Sequence, residues 1–253
     1  MSTPHRATAT ESLVQSHRPG SEPLRVLSAS GQLGYGIPQA SFELGLQRQP
    51  HFIGCDMGSI DPGPFYLGSG QMAAPQVMVR PDLELVLLGA VKAGIPLIIG
   101  SAGTAGAQPQ LDATVALVRQ IALQHGLVFR LTTIASDVSA AHVIAALQGG
   151  TLQPLSADVG GSPLSLPTEA EVLSCRHIVW QCGSETFSRA LQTLPDVLIA
   201  GRACDTAIFA ALPEMLGYPP ALALHMAKII ECTSLCCKPA GRDAILAELS
   251  LDG

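Results

Sequence analysis

The chain alternates between short apolar runs and longer stretches in which apolar residues recur at helical spacing. "RVLSA" (25–29), "HFIGCD" (51–56), "PLIIG" (96–100), "LVFRLTTIA" (127–135), "HIVWQ" (177–181) and "DVLIA" (196–200) read as strands. Between and after them, "PQASFELGLQ", "DLELVLLGAVKAG", "LDATVALVRQIALQHG", "DVSAAHVIAALQGG", "ETFSRALQ" and "DTAIFAALP" read as helices. A long last helix is predicted through "PALALHMAKIIECTSLCC". Apolar strands alternating with helices predict βα units and a parallel sheet, with right-handed crossovers. About six units are visible, against about eight in a closed barrel. The expectation is an α/β fold: a mostly parallel open sheet with helices on both faces, Rossmann-like and doubly wound. A Pro/Gly/Ser-rich passage at 153–168 reads as a small excursion. Residues 1–23 lack apolar periodicity and read as a flexible polar tail, and 24–253 as one α/β domain.

Composition narrows the setting. Hydrophobic residues make up 47% of the 253 and charged residues only 13%, so a large core is available. So little charge points to a surface covered by a partner or by a second copy of the chain, and a homo-oligomer is expected. The net charge of -6, without a basic run, argues against nucleic acid and against an anionic membrane. No apolar run approaches a membrane span, and the first residues lack the apolar core of a signal peptide, so a cytoplasmic protein is expected. Seven scattered cysteines, with no C-x-x-C pair, read as reduced thiols rather than as disulfides or a zinc site.

Chemistry collects where strands end. In an open parallel sheet the ligand sits at the carboxyl ends of the strands, near helix N-termini. There the sequence places Ser30, Gly31 and Gly34; Asp56, Ser59 and Asp61; Ser101, Gly103 and Thr104; Glu185; and Arg202 with Asp205. Most of these residue types also serve as ordinary caps and turns. Arg202 does not, because a helix N-terminus disfavours a cation. It is expected to pair with Asp205 or Asp56, or to bind an anion. "GQLGYG" and "GSAGTAG" match neither the dinucleotide nor the Walker signature, so no cofactor is assigned to them. Glycines beside helix N-termini still suit a carboxylate, a phosphate or the pyrophosphate of coenzyme A. His225, Lys228 and Cys232 fall on one helical face. That face either borders the core or supplies a proton-transfer group and an anion anchor.

"SASGQLGYG", "FIGCDMGSIDPGPFYLGSG", "AGIPLIIGSAGTAG" and "VLIAGRACDTAIFAALP" with "GYPPALALHMAKIIEC" resemble the acyclic terpene utilisation (AtuA-like) family over about residues 24–238. That family is named for a bacterial pathway that degrades acyclic isoprenoids through acyl-CoA intermediates. Its members usually continue past the "HMAKIIEC" helix, so the resemblance implies a fragment, a short paralogue or a chain without activity.

The expected function is a metabolic enzyme acting on a small anionic substrate, a carboxylate or coenzyme A thioester, by hydration, dehydration or isomerisation. Asp56, Asp61, Asp205 and His225 are the acid/base candidates. Arg202 and Lys228 are the anion anchors, and Ser30–Gly36 with Ser101–Gly106 the cradle. In a variant the three aspartates hold Mg²⁺. The alternatives are a hydrolase with Ser30 or Ser101 as nucleophile, and a non-catalytic binding or assembly subunit. Asp56, Ser101, Arg202 and Asp205 are expected to line one cleft, because parallel strands place all their carboxyl ends on one edge of the sheet.

Overall fold

The computed structural model describes residues 6–154 and 165–252. In chain order the elements are α1 (Ala9–Ser16), β1 (Leu24–Ser30), α2 (Gln39–Gln47), β2 (Phe52–Asp56), α3 (Phe65–Ser69), α4 (Gln76–Ala93), β3 (Leu97–Gly100) and α5 (Gln108–His125). Then follow β4 (Leu131–Ile134), α6 (Ala140–Gln148), α7 (Glu169–Ser174), α8 (Ser184–Leu191), β5 (Val197–Ala200), α9 (Asp205–Leu216), α10 (Pro220–Ile230) and β6 (Ile245–Leu249). The six strands form one sheet in the order β4-β5-β3-β2-β1-β6. Every pair is parallel except β1 with β6. This is the open, mostly parallel α/β sheet that the apolar pattern predicts.

Side chains alternate across the sheet and so divide its core in two. On one face Leu27, Ile53, Ile99 and Ile199 meet Phe42 of α2, Leu83 and Leu87 of α4 and Ile121 of α5. On the other, Val26, Phe52, Ile98 and Leu198 meet Phe187 of α8, Phe209 of α9 and Ile230 of α10. The loops after β1, β2 and β3 therefore leave toward one face, and the loop after β5 toward the opposite face. Neighbouring strands whose connections diverge open a crevice at their carboxyl ends. Here that crevice lies between β3 and β5.

The structure departs from the expected elements in four places. "HIVWQ" is not a strand. Among the described residues it and the following Cys182 make only isolated bridges, Val179 to Asp137 and Cys182 to Ala203. Its backbone lies across the rim, with Trp180 N–H donating to Ser136 O at 3.0 Å and Cys182 N–H to Arg202 O at 3.0 Å. The sixth strand is instead β6, which runs antiparallel to β1, Leu24 opposite Leu249. The last helix stops at Ile230, and Thr233–Cys236 continue as a 3₁₀ turn after a left-handed Thr233 at φ 52°. Finally, the expected flexible tail contains α1. Thr8 caps it, and Ala9, Thr10, Leu13 and His17 are buried against the body. Thr8 Oγ1 donates to Leu194 O at 2.6 Å, Ala9 N–H donates to Asp196 Oδ1 at 2.7 Å, and His17 Nε2 meets Tyr218 OH at 3.0 Å. These distant partners stabilise a segment too poor in apolar residues to order alone. The excursion expected near 153–168 falls mostly on 155–164, outside the described residues.

Candidate functional site

Three loops meet at the crevice, main chain against main chain. A Cβ on Gly58 would lie 2.2 Å from Thr104 Cα, and one on Gly106 would lie 1.9 Å from Arg202 N. Neither position can carry a side chain. The loop after β3 coils through positive φ at Ser101 (52°), Gly103 (64°), Thr104 (96°) and Gly106 (70°). For Ser101 and Thr104 this costs on the order of 1 kcal/mol or more each. Cross-loop bonds hold it there: Ser101 N–H to Gly201 O at 2.9 Å, Ala102 N–H to Ala200 O at 3.0 Å and Arg202 N–H to Gly106 O at 3.2 Å.

This packing gathers Asp56, Ser101, Arg202 and Asp205 at one sheet edge. They do not share one cavity. Asp56 and Asp205 line a cleft of about 320 Å³, together with Ser30, Gly31, Ser59 and Asp61. Arg202 lines an adjoining cavity of about 400 Å³ with Thr104, Gln181 and an apolar wall that includes Tyr66, Leu67 and Val179. Ser59 borders both. Ser101 is fully buried and lines neither; its Oγ donates to Ala203 O at 3.4 Å.

The Asp56 carboxyl is 4% exposed and accepts the Met57 N–H at 2.8 Å. Burial raises its pKa to about 8, and the Asp205 carboxylate adds to that rise. The Arg202 guanidinium, the Ser101 hydroxyl and the Met57 N–H oppose it. Asp56 and Asp205 thus sit in unlike environments, the first buried and the second 39% exposed beside Arg202. Arg202 is 5% exposed, and both of its terminal nitrogens donate within the protein. Nη1 donates to Thr104 O at 3.1 Å and to Gly58 O at 3.4 Å, and Nη2 to Asp205 Oδ1 at 3.3 Å; Nε is buried without a partner.

The remaining sequence candidates lie elsewhere. His225 is exposed on α10 and lines neither cavity. Lys228 reaches forward to the buried Glu231, which engages its ammonium group. The helical spacing of these two faces outward and along α10, because the helix core side is Ala223, Met226, Ala227 and Ile230. Glu185 is an exposed first-turn acid of α8. Gly34 and Gly103 serve packing: a Cβ on either would meet Ala74 or Gln110 within 3 Å. The anion cradle expected in the two glycine loops is already filled. Gly34, Gly36 and Ile37 donate to the Asp82 carboxylate, and in the second loop Thr104 N–H and Gly106 N–H bond to Ser101 O and Ala102 O.

Two residues of the cleft region were not singled out by the sequence. Asp82, buried in α4, carries no spacing signal. Arg242 belongs to a wall built from residues after α10; its Nη1 donates to Tyr35 O at 2.6 Å, and it is the one cationic side chain lining the cleft among the described residues. Asp56, Asp61 and Asp205 do not gather into a compact ligand trio. Among the described residues only His17, Glu22 and His51 do so, at the opposite edge of the sheet. There His51 Nδ1 accepts the Arg25 N–H at 2.8 Å, which leaves the proton on Nε2, and the Arg25 guanidinium stands 3.4 Å from that nitrogen. This is a hydrogen-bonded knot between α1 and the sheet, and a poor seat for a cation.

Comparison of the chain with family models, with curated proteins and with solved structures returns no match. The class defined by fold and site is an open α/β protein with a carboxyl-lined cleft at the carboxyl ends of its strands. No helix among the described residues is long and apolar enough to cross a membrane.

Proposed function

We propose that this chain is an enzyme of proton-transfer chemistry next to a carbonyl: a hydratase, dehydratase or isomerase of a small carboxylate or its coenzyme A thioester. The observation that carries the reading is the pair of unlike carboxyls facing one cleft. Asp56, whose pKa is raised, acts as general acid, and Asp205, held by Arg202, as general base. Arg202 serves to position Asp205. The anionic end of the substrate pairs with Arg242, the cationic side chain in the cleft lining. The motif resemblance to the AtuA-like family is the second support, and it favours acyl-CoA compounds within that class.

A hydrolase reading draws on one observation, the left-handed Ser101 at a strand end beside Asp56. Against it stand the complete burial of Ser101 and the lack of any histidine among the residues lining the two cavities. The test is a thermal-shift panel of acyl-CoAs and dicarboxylates on the wild type and Arg242→Ala. At least one compound is expected to stabilise the wild type, with the shift lost in Arg242→Ala and the unliganded melting temperature unchanged. A panel without any shift, or a shift that Arg242→Ala retains in full, refutes the reading.

A further inference from the structure

The loop "GQLGYG" has the shape of an anion receptor, and its occupant is part of the chain. Gly34 N–H and Gly36 N–H donate to Asp82 Oδ2 at 2.8 and 3.0 Å, and Ile37 N–H donates to Asp82 Oδ1 at 2.9 Å. Gly34 and Gly36 have φ of 107° and 89°, so two left-handed residues turn the N–H groups of Gly34, Gly36 and Ile37 toward one point, while Tyr35 N–H bonds to Gln32 O. Such a row of amides is the nest that elsewhere takes phosphate or carboxylate. Asp82 is 5% exposed and makes no ion pair among the described residues. Three amide donors therefore compensate its burial. The same loop supplies Gln32, Tyr35 and Ile37 to the cleft wall, and Tyr35 O receives Arg242.

We propose that Asp82 is a built-in anion that positions this wall. Its carboxylate permanently occupies the seat a ligand would take, so the loop acts as a fixed frame for Tyr35 and Arg242 and contributes no anion subsite of its own. The inference is independent of the reaction proposed above, since its test uses no substrate.

The experiment pairs amide hydrogen exchange with chemical rescue in Asp82→Ala and the isosteric Asp82→Asn. The amides of Gly34, Gly36 and Ile37 are expected to exchange at least about tenfold faster in both variants, while amides of β2 and β3 stay protected. The melting temperature of Asp82→Ala is expected to fall by roughly 10 °C. Sodium formate, which can enter the vacated seat, is expected to restore protection at those three amides and part of the melting temperature. Sodium chloride at equal ionic strength is expected to do neither. If Asp82→Ala does not fold, Asp82→Asn carries the exchange measurement alone. Unchanged protection at Gly34, Gly36 and Ile37 in Asp82→Asn overturns the proposal, as does a formate effect of equal size in the wild type.

Discussion

Replacing Arg202 tests whether the crevice is held together from inside. Its guanidinium ties three loops: Gly58 O after β2, Thr104 O after β3 and Asp205 after β5. In Arg202→Ala the two carbonyls lose a charged donor in a buried setting, at about 1–3 kcal/mol each. The contact to Asp205, whose side chain is 39% exposed, adds less than about 1 kcal/mol because solvent screens it. Relief from burying Nε without a partner offsets part of this. A net loss of about 3–5 kcal/mol results, or a fall of roughly 10 °C in melting temperature for a chain of this size. Arg202→Met keeps most of the bulk and separates lost packing from lost donors. The assay is urea unfolding of wild type and both variants, followed by circular dichroism. A second readout is the Asp56 carboxyl, followed by NMR titration. The guanidinium holds its pKa down against burial, so the variants should titrate at higher pH than the wild type. A loss below about 1 kcal/mol in Arg202→Ala, with the Asp56 titration unmoved, would falsify the reasoning.

Asp56 also sets a pH dependence. A carboxyl whose folded pKa is about 8 retains its proton after the unfolded chain has lost its own near 4, so the folded state binds more protons across that interval. Stability should fall as pH rises from about 4 to 8 and level off above. Asp56→Asn should remove a few kcal/mol of that fall in urea melts across the range; parallel profiles for both proteins would count against the burial argument. Deleting residues 1–17 should lower the melting temperature by several degrees, because it exposes the surface under Leu13 and leaves Tyr218 OH without His17. An unchanged melting temperature would mean that α1 contributes nothing to the folded state.

The parts of the fold that could be read from sequence are those in which neighbours in the chain decide the structure. β2 and β5 are buried at every position, as parallel strands between two helical layers must be; β5 reads as an unbroken apolar run and β2 as one that ends in Asp56. The edge strand β6 is mostly half-buried, and it pairs with β1 at the other end of the chain, so its local pattern is weak. "HIVWQ" has the composition of a strand because Val179 lines the second cavity, although the segment lies on the rim. The meeting of Asp56 and Asp205 was legible because parallel strands end on one edge. His225 and Lys228 misled because helical spacing states that two residues share a face without stating what that face meets. Asp82 and Arg242 act across 45 or more and about 200 residues on the loop between β1 and α2, and no local spacing encodes that.

The contact of bare backbone at Gly58 and Gly106 has a consequence for anyone wishing to redesign the cleft. An alanine scan of the rim would sample Ser59, Asp61 and Arg242 and leave the scaffold intact, so a library there can explore new ligands freely. The glycines behave in the opposite way: even one added methyl group would force the loops apart by more than an ångström. The lining of the cleft can therefore drift by exchange of rim side chains, whereas the spacing between Asp56 and Asp205 is inherited with the glycines as a single unit.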